Sequence, residues 1–332
     1  MKEMIQPLVS IGVPVFNGEK RLSHALDYLL EQDYSNLEII ISDNGSTDST
    51  PDICAEYACR DSRIKTYRVE INHGVIWNYR HVFELSSGKY FMWAADDDIR
   101  EPSFVSACVE KLEQCLGAVL CQSHTDIFIE GREEMLCEYN LNSFENATGL
   151  VGRYRETLKH IPATTIYGLY RVSGVHKTQL YHNVIATDLA FLQELSIHGA
   201  FVQIPKVLFH YSGREKWNTI DEDYRVFFGK EKKPWWYLPF VVLFIDHWKR
   251  VLQADLPFGA KIRLWGVLIE HEAGQVALKL LIKIAGRLCP EKWKEKLGCA
   301  IYWQWMHNPN REVGCNDLYL ERAIKPMLGW WR

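Results

Sequence analysis

Three consecutive aspartates, Asp96, Asp97 and Asp98, stand directly after the apolar run Lys89-Tyr-Phe-Met-Trp93 and Ala94-Ala95. Ionised carboxylates placed side by side repel one another unless they are solvated or share a cation. Their hard oxygens suit Mg2+ or Mn2+, an ion that commonly bridges protein carboxylate to a substrate diphosphate and stabilises charge on a departing phosphate oxygen. The same acids would equally serve as a solvated turn capping a helix that begins near Pro102. Other polar groups sit in comparable places: Pro14-Val-Phe16-Asn17, Ser42-Asp43-Asn44-Gly45-Ser46 and Asn72-His73-Gly74. Asp-Asn-Gly-Ser is also an ordinary turn composition, and Asn17 suits a left-handed turn residue.

The elements that must position these residues can be read from periodicity. Leu8–Val13 is a short apolar run, and after Asn17-Gly18 the apolar positions become Leu22, Ala25, Leu26, Leu29 and Leu30, a helical spacing. The pattern repeats. Leu37–Ile41 reads as a strand, and Thr50-Pro51 supplies an N-cap and first residue for a helix over 51–60. A strand over Ile64–Val69, a helix over Val75–Leu85, a strand over Lys89–Trp93, a helix from Pro102 to Cys115 and a strand over Ala118–Cys121 follow. Strands separated by helices of about ten residues predict an α/β fold, a mostly parallel sheet with helices on both faces. Ligands of such sheets bind outside the carboxyl ends of the strands, so all four polar segments are expected along one edge.

No G-x-G-x-x-G follows the first strand and no G-x-x-x-x-G-K-[ST] occurs, which removes the main support for a dinucleotide or P-loop site. A carboxylate-centred site remains.

Taken jointly, Val9-Ser-Ile-Gly-Val-Pro-Val-Phe-Asn17, Ile39-Ile-Ile-Ser-Asp-Asn-Gly-Ser-Thr-Asp48, Asn72-His-Gly-Val-Ile-Trp-Asn78 and Ser87-Gly-Lys-Tyr90 resemble the motifs of the family 2 glycosyltransferases of GT-A fold. The resemblance covers roughly residues 6–215. It implies a metal-dependent inverting hexosyl transfer from a nucleotide-diphosphate sugar, a UDP-sugar for preference, to an acceptor hydroxyl in cell-surface polysaccharide or lipopolysaccharide synthesis. By the same resemblance Pro14, Phe16, Asn17, Asp43, Asn72, Gly74, Asn78 and Asp96 would hold the nucleotide-sugar, and Arg214 is a candidate for a phosphate contact because a fixed guanidinium pairs well with phosphate oxygens. Asp43 would contact the base and Asp96 would lie near the ribose. Asp97 would be the principal ligand of Mg2+ or Mn2+, with Asp98 as a second ligand and His210 either completing the metal sphere or contacting the diphosphate. Asp188, ahead of the helical run Leu189, Leu192, Leu195, would be the base that takes the acceptor proton. Each has a plainer role: Asp98 or Asp188 as a helix cap, His210 and Arg214 as ordinary surface residues. The family often carries an acid where Ala95 stands. That departure motivates the rival reading of a catalytically silent module that binds nucleotide-sugar or membrane.

The chain of 332 residues has 38 Lys and Arg against 42 Asp and Glu, a balance of −4 that conceals an asymmetry. Residues 1–215 hold 19 basic and 29 acidic side chains, whereas residues 216–332 hold 19 and 13, along with ten of the 12 tryptophans. Two regions are therefore expected: a GT-A domain over 1–215 and a helical, basic, Trp-rich region over 216–332. The apolar run Pro234–Ile245 is too short to span a bilayer. A core helix, or one lying on an anionic membrane surface near a saccharide or lipid-linked saccharide acceptor, fits it better. The acidic first region lacks the basic stripe that nucleic acid requires. Nine cysteines without metal-ligand spacing, and an N-terminus without a secretory apolar stretch, predict reduced thiols and a cytoplasmic location, peripheral on the inner face of the membrane.

Overall fold

The computed structural model describes residues 6–129, 137–139, 147–213, 220–228, 232–235 and 237–288. Strand β1 (Val9–Val15) and strand β2 (Leu37–Asp43) are buried along almost their whole length, as inner strands of a sheet covered on both faces must be. Strand β3 (Ile64–Arg68) buries only Ile64 and forms the edge. Helix α1 (Leu22–Leu30) turns Leu22, Ala25, Leu26 and Leu29 inward, the spacing read from the sequence. Helix α2 (Thr50–Arg60) differs at its start: Ser49 is the N-cap and Thr50 lies in the first turn. The Thr50 hydroxyl is occupied elsewhere, donating to Asp48 Oδ1 at 2.6 Å and accepting from Gly18 N at 2.8 Å.

Helix α3 (Val75–Glu84) and strand β4 (Tyr90–Trp93) follow as expected. The acidic turn then leads into a two-residue strand, β5 (Ile99–Arg100), and helix α4 (Phe104–Gln114) starts after an N-cap at Ser103. The three aspartates therefore do not cap that helix. Strand β6 (Ala118–Ile129) runs well past the expected Cys121, with β7 (Cys137–Tyr139) beside it. The remainder comprises α5 (Gly149–His160), a 3-10 turn over Ala163–Tyr167, β8 (Leu169–Arg171), α6 (Val172–Val175), α7 (Thr187–His198), β9 (Ala200–Gly213), α8 (Ile220–Phe228), α9 (Pro239–Gln253) and α10 (Phe258–Leu288).

The sheet order is β3-β2-β1-β4-β8-β6-β9-β5, with β7 on β6. Strands β3, β2, β1 and β4 are parallel, as are β6 and β9. Strand β8 is antiparallel to both of its neighbours, and β5 is antiparallel to β9. Side chains alternate across the sheet. In β4, Tyr90 and Met92 join the core under α1, α2 and α4, while Phe91 and Trp93 join the core under α3 and α7. A third core sets Tyr154, Leu158 and Ile197 of α5 and α7 against Val251, Leu264, Val267 and Leu268 of α9 and α10. Each such aliphatic side chain stabilises by about 1.5–3 kcal/mol when fully buried, so residues on both sides of position 215 share one stabilising cluster. Among the described residues no helix is long and apolar enough to cross a membrane.

Candidate active site

Parallel register brings Val15, Asp43 and Arg68 into one row at the carboxyl edge of the sheet. The loops leaving that row are tied to one another. Asn17, left-handed at φ 54°, accepts from Thr47 N at 2.9 Å through Oδ1, and its own N–H donates to Ser46 Oγ at 2.9 Å. Phe16 beside it is exposed, and Pro14 is half-buried opposite Ser42. Asp43 is 2% exposed. Its Oδ1 accepts from Ser46 N at 2.9 Å, while Oδ2, 3.5 Å from Arg68 Nε, receives no hydrogen bond among the described residues.

Asn72 Oδ1 accepts from Asn44 Nδ2 at 2.9 Å and from Gly74 N at 2.7 Å, which joins the second loop to the third. Glycine is required at two places here. Gly74 caps α3 at φ 89°, and Gly45 has φ 77° with the backbone of Ile71 2.8 Å from where a Cβ would stand. Asn78 donates to Val15 O and Ser42 O, at 3.3 and 3.0 Å. Its amide thus clamps the ends of β1 and β2, a positioning task that its residue type alone did not disclose.

The acidic turn lies alongside. Asp96 Oδ2 sits 3.3 Å from Arg21 Nη2, and Gly18 leaves it room, since a Cβ there would come within 3.1 Å of that oxygen. Asp97 is half-buried. Asp98 is 2% exposed; its Oδ1 accepts from Ser212 N at 3.4 Å and its Oδ2 has no hydrogen bond among the described residues. Burial pushes Asp98 up to about 7, Arg100 pulls it back, and the charges of Asp97 and Asp96 add to the rise. Arg100 itself is buried, donating to Trp93 O at 3.1 Å between the rings of Phe104 and Phe209. His210 pairs with Ile99 in the sheet, one residue from Asp98. Its Nε2 lies 3.0 Å from Glu101 Oε1 and its Nδ1 3.7 Å from Asp126 Oδ2, so both ring nitrogens face carboxylates. Arg214 lies outside the described residues. Among the described residues no three His, Cys, Asp or Glu side chains close around a single point.

Asp188 occupies the first turn of α7, after Ala186 in a left-handed conformation at φ 61°. Burial raises its pKa, the backbone N–H groups of the helix start oppose the rise, and Asp223 adds to it. Between Asp188 and the acidic turn lies a set of aromatic rings that the sequence did not single out. Tyr181 packs 5.7 Å from Tyr79 and 5.4 Å from Trp93, and Trp93 donates its indole N–H to Tyr79 O at 2.9 Å. Burial raises the phenols of Tyr79 and Tyr181. Asp98, Asp96 and Asp97 raise Tyr79 further, and Asp188 does the same to Tyr181. The two acidic elements therefore act through their charges on two rings that pack against each other. Nothing in the spacing of Tyr79 and Tyr181 distinguishes them from ordinary core aromatics.

Residues 10–167 match the family model described as Glycosyl transferase family 2. An uncharacterized glycosyltransferase of Haemophilus influenzae is 35% identical over 218 residues, 62% of this chain and 65% of that protein. The glycosyltransferase GlyG of Streptococcus pneumoniae is 28% identical over 107 residues, 32% of this chain and 36% of that protein. The chain thus spans less than two thirds of the length of either relative. Among solved structures, S. aureus TarS 1-349 in complex with UDP aligns with a TM-score of 0.59 at 16% identity, covering 98% of this chain and 87% of that one. The mannosyltransferase PcManGT from Pyrobaculum calidifontis, in complex with GDP-Man and Mn2+, aligns at 0.57 and 15%, covering 98% and 88%. At those identities the likeness is one of fold.

Proposed function

From the premise that the chain belongs to glycosyl transferase family 2 and has the GT-A fold, we propose that it transfers a hexosyl group from a nucleotide-diphosphate sugar to an acceptor hydroxyl. The observation that carries this reading is that the charges of the Asp96–Asp98 turn act on Tyr79 and that of Asp188 on Tyr181, two rings packed 5.7 Å apart. A donor diphosphate at the turn would then have its sugar directed toward a carboxylate on the far side.

The base is assigned to Asp43. With Oδ1 taken by Ser46, one buried oxygen remains to accept a hydrogen bond. That oxygen can accept the N3–H of uracil, the nucleotide base of a UDP-sugar. UDP is also the nucleotide in the TarS complex. Asn17, Asn72 and Gly74 shape the same edge through their mutual hydrogen bonds, and Asp96 lies toward the ribose.

Asp188 would accept the acceptor proton. The helix-start amides favour its charged form, and its partial burial keeps it basic enough for the task. Displacement in one in-line step inverts the anomeric centre. The donor set of the acidic turn suits a hard divalent cation, and Asp98 Oδ2 is a buried acceptor without a donor among the described residues. Asp97, with Asp98 beside it, would hold Mg2+ or Mn2+, which when bound supplies charge neutralisation for the diphosphate.

The acceptor is a saccharide or lipid-linked saccharide of cell-surface polysaccharide synthesis, reached at the inner face of an anionic membrane. Support comes from the C-terminal helices. Leu238, Val241, Ile245 and Leu252 recur at helical spacing along α9 with exposed side chains, as do Phe258, Ile262 and Ile269 along α10, with exposed Lys249 and Arg263 among them. Trp235 is 90% exposed just before them.

A thermal-shift series of nucleoside diphosphates with and without Mn2+ tests the donor reading. UDP with Mn2+ should stabilise the chain, and Asp97→Ala should abolish the Mn2+-dependent part. No stabilisation by any nucleotide would overturn it.

A further inference from the structure

The segment between α6 and α7 delivers Asp188 to the site, and much of what holds it comes from outside the α/β sheet. Its backbone is unusual. Leu180 and Ala186, neither of them glycine, are both left-handed, at φ 56° and 61°, so the conformation needs support from its surroundings. Within the sheet region, Arg80 Nη1 donates to Tyr181 O at 3.1 Å, and Gln179 N donates to both oxygens of Glu194, at 3.1 and 3.0 Å. The remaining ties come from the C-terminal region. Ile185 N donates to Tyr237 Oη at 3.2 Å, and the His182 ring meets Asp246 of α9, Nδ1 to Oδ1 at 2.5 Å.

Asp246 is well placed for that contact. It is buried, and its other oxygen accepts from Arg250 Nε at 2.6 Å, while Arg250 Nη1 donates to buried Glu194 on α7. Burial works against the Asp246 charge, yet the bonds from His182 and Arg250 overcome it and hold the carboxyl below its ordinary value. An ionised carboxylate can only accept, so the proton of the His182–Asp246 bond lies on Nδ1. The main-chain N–H of His182 then donates to Thr187 Oγ1 at 2.9 Å, and Thr187 immediately precedes Asp188. One connected path of hydrogen bonds thus runs from α9, through His182, to the residue before the proposed base.

We propose that Asp246, acting through His182, positions the loop that sets Asp188, so that helix α9 is a working part of the transfer site. Asp246 and His182 are positioning residues in this inference, which rests on the reading of Asp188 as the base. Neither needs to touch donor or acceptor. Their removal should lower turnover while leaving nucleotide binding at the β1–β2 edge intact.

The test uses the full chain with Asp246→Asn, His182→Leu and His182→Asn. In the first two variants kcat for sugar transfer should fall at least about tenfold, since small misplacements of a reacting group carry losses of that size or larger. Donor KM and the UDP thermal shift should stay as in the wild type, and amide hydrogen exchange over residues 179–187 should quicken. His182→Asn presents an N–H near the position of Nδ1 and should recover much of the loss. His182→Leu leaves the Asp246–Arg250 pair whole, so it decides the matter even where Asp246→Asn fails to fold. Unchanged kcat and unchanged exchange in His182→Leu would overturn the proposal. Should Asp188→Asn turn over as fast as the wild type, the base reading fails by itself, and the exchange measurement still reports whether Asp246 holds the loop.

Discussion

Asp188 answers to two opposing demands. As the proposed base it must be charged to accept a proton, and its surroundings make charge costly: burial lifts its pKa and the nearby Asp223 lifts it further. The folded chain therefore holds a proton there at pH values where the unfolded chain has released it. Stability contributed by this residue falls as pH rises from the unfolded pKa through the higher folded one. Asn at this position removes that penalty together with the base. Asp188→Asn should thus raise the melting temperature at pH 7–8 by calorimetry while lowering kcat by roughly 10²–10⁴. In the wild type, the acid limb of kcat against pH should lie above the range of a free aspartate. A variant that loses stability as well as activity would contradict this account. The turn at Asp43, the acidic loop after β4 and the helix start at Asp188 are legible from the sequence because each follows from local composition and period. The burial of Asp98 beside Arg100 is not, nor the pairing of His210 with Glu101, because both depend on β5 meeting β9.

Strands and helices are held at both ends of the sheet, and the end away from the site has its own fastening. Glu38 on β2 accepts from Ser10 Oγ at 2.6 Å, from Ser87 N and Oγ at 2.8 Å each, and from Lys65 Nζ at 2.7 Å. It joins β1, β2, β3 and the turn before β4. Burial works against its charge, yet these bonds overcome that and hold the carboxyl at about 2, against 4.5 ordinarily. A depressed folded pKa stabilises above the unfolded value, and that stabilisation is lost as pH falls from about 4.5 through about 2. Glu38→Gln should cost about 2 kcal/mol at pH 7 in urea unfolding and flatten the loss of stability across that acid window. An acid limb identical to the wild type would refute the fastening. The first four strands and their helices are legible because period and strand length agree there. Strands β5, β8 and most of β9 are not. A two-residue strand has no period, and pairing direction follows from how distant segments meet.

At the scale of the molecule, the composition break at position 215 is real, yet the cores do not respect it. Tyr154, Leu158 and Ile197 pack against Val251, Leu264, Val267 and Leu268. A chain ended at residue 215 should uncover that cluster and lose cooperative thermal unfolding by circular dichroism, whereas the full chain should melt in one transition. Retention of a native-like melt would show the third core to be dispensable. The apolar rows on α9 and α10 face away from this cluster, so they can be changed without disturbing it. Ile245→Glu with Ile262→Glu should leave the melting temperature within about 2 °C, as exposed positions usually do. The pair should also abolish flotation with anionic liposomes. Flotation equal to the wild type would remove these rows as the contact.

Strands β1 to β4 are complete by Trp93 and lie next to one another, but Ala118 finds its partner at Ala200 and Ser212 stands opposite Phe128. Emerging from the ribosome, the polypeptide can assemble a grip for the nucleotide well ahead of the residues that would act on what it holds. On the proposed reading, partial products of synthesis would bind donor without consuming it. Helix α9 also braces the loop before Asp188, so on the proposed reading the transfer site is complete only after that helix has emerged.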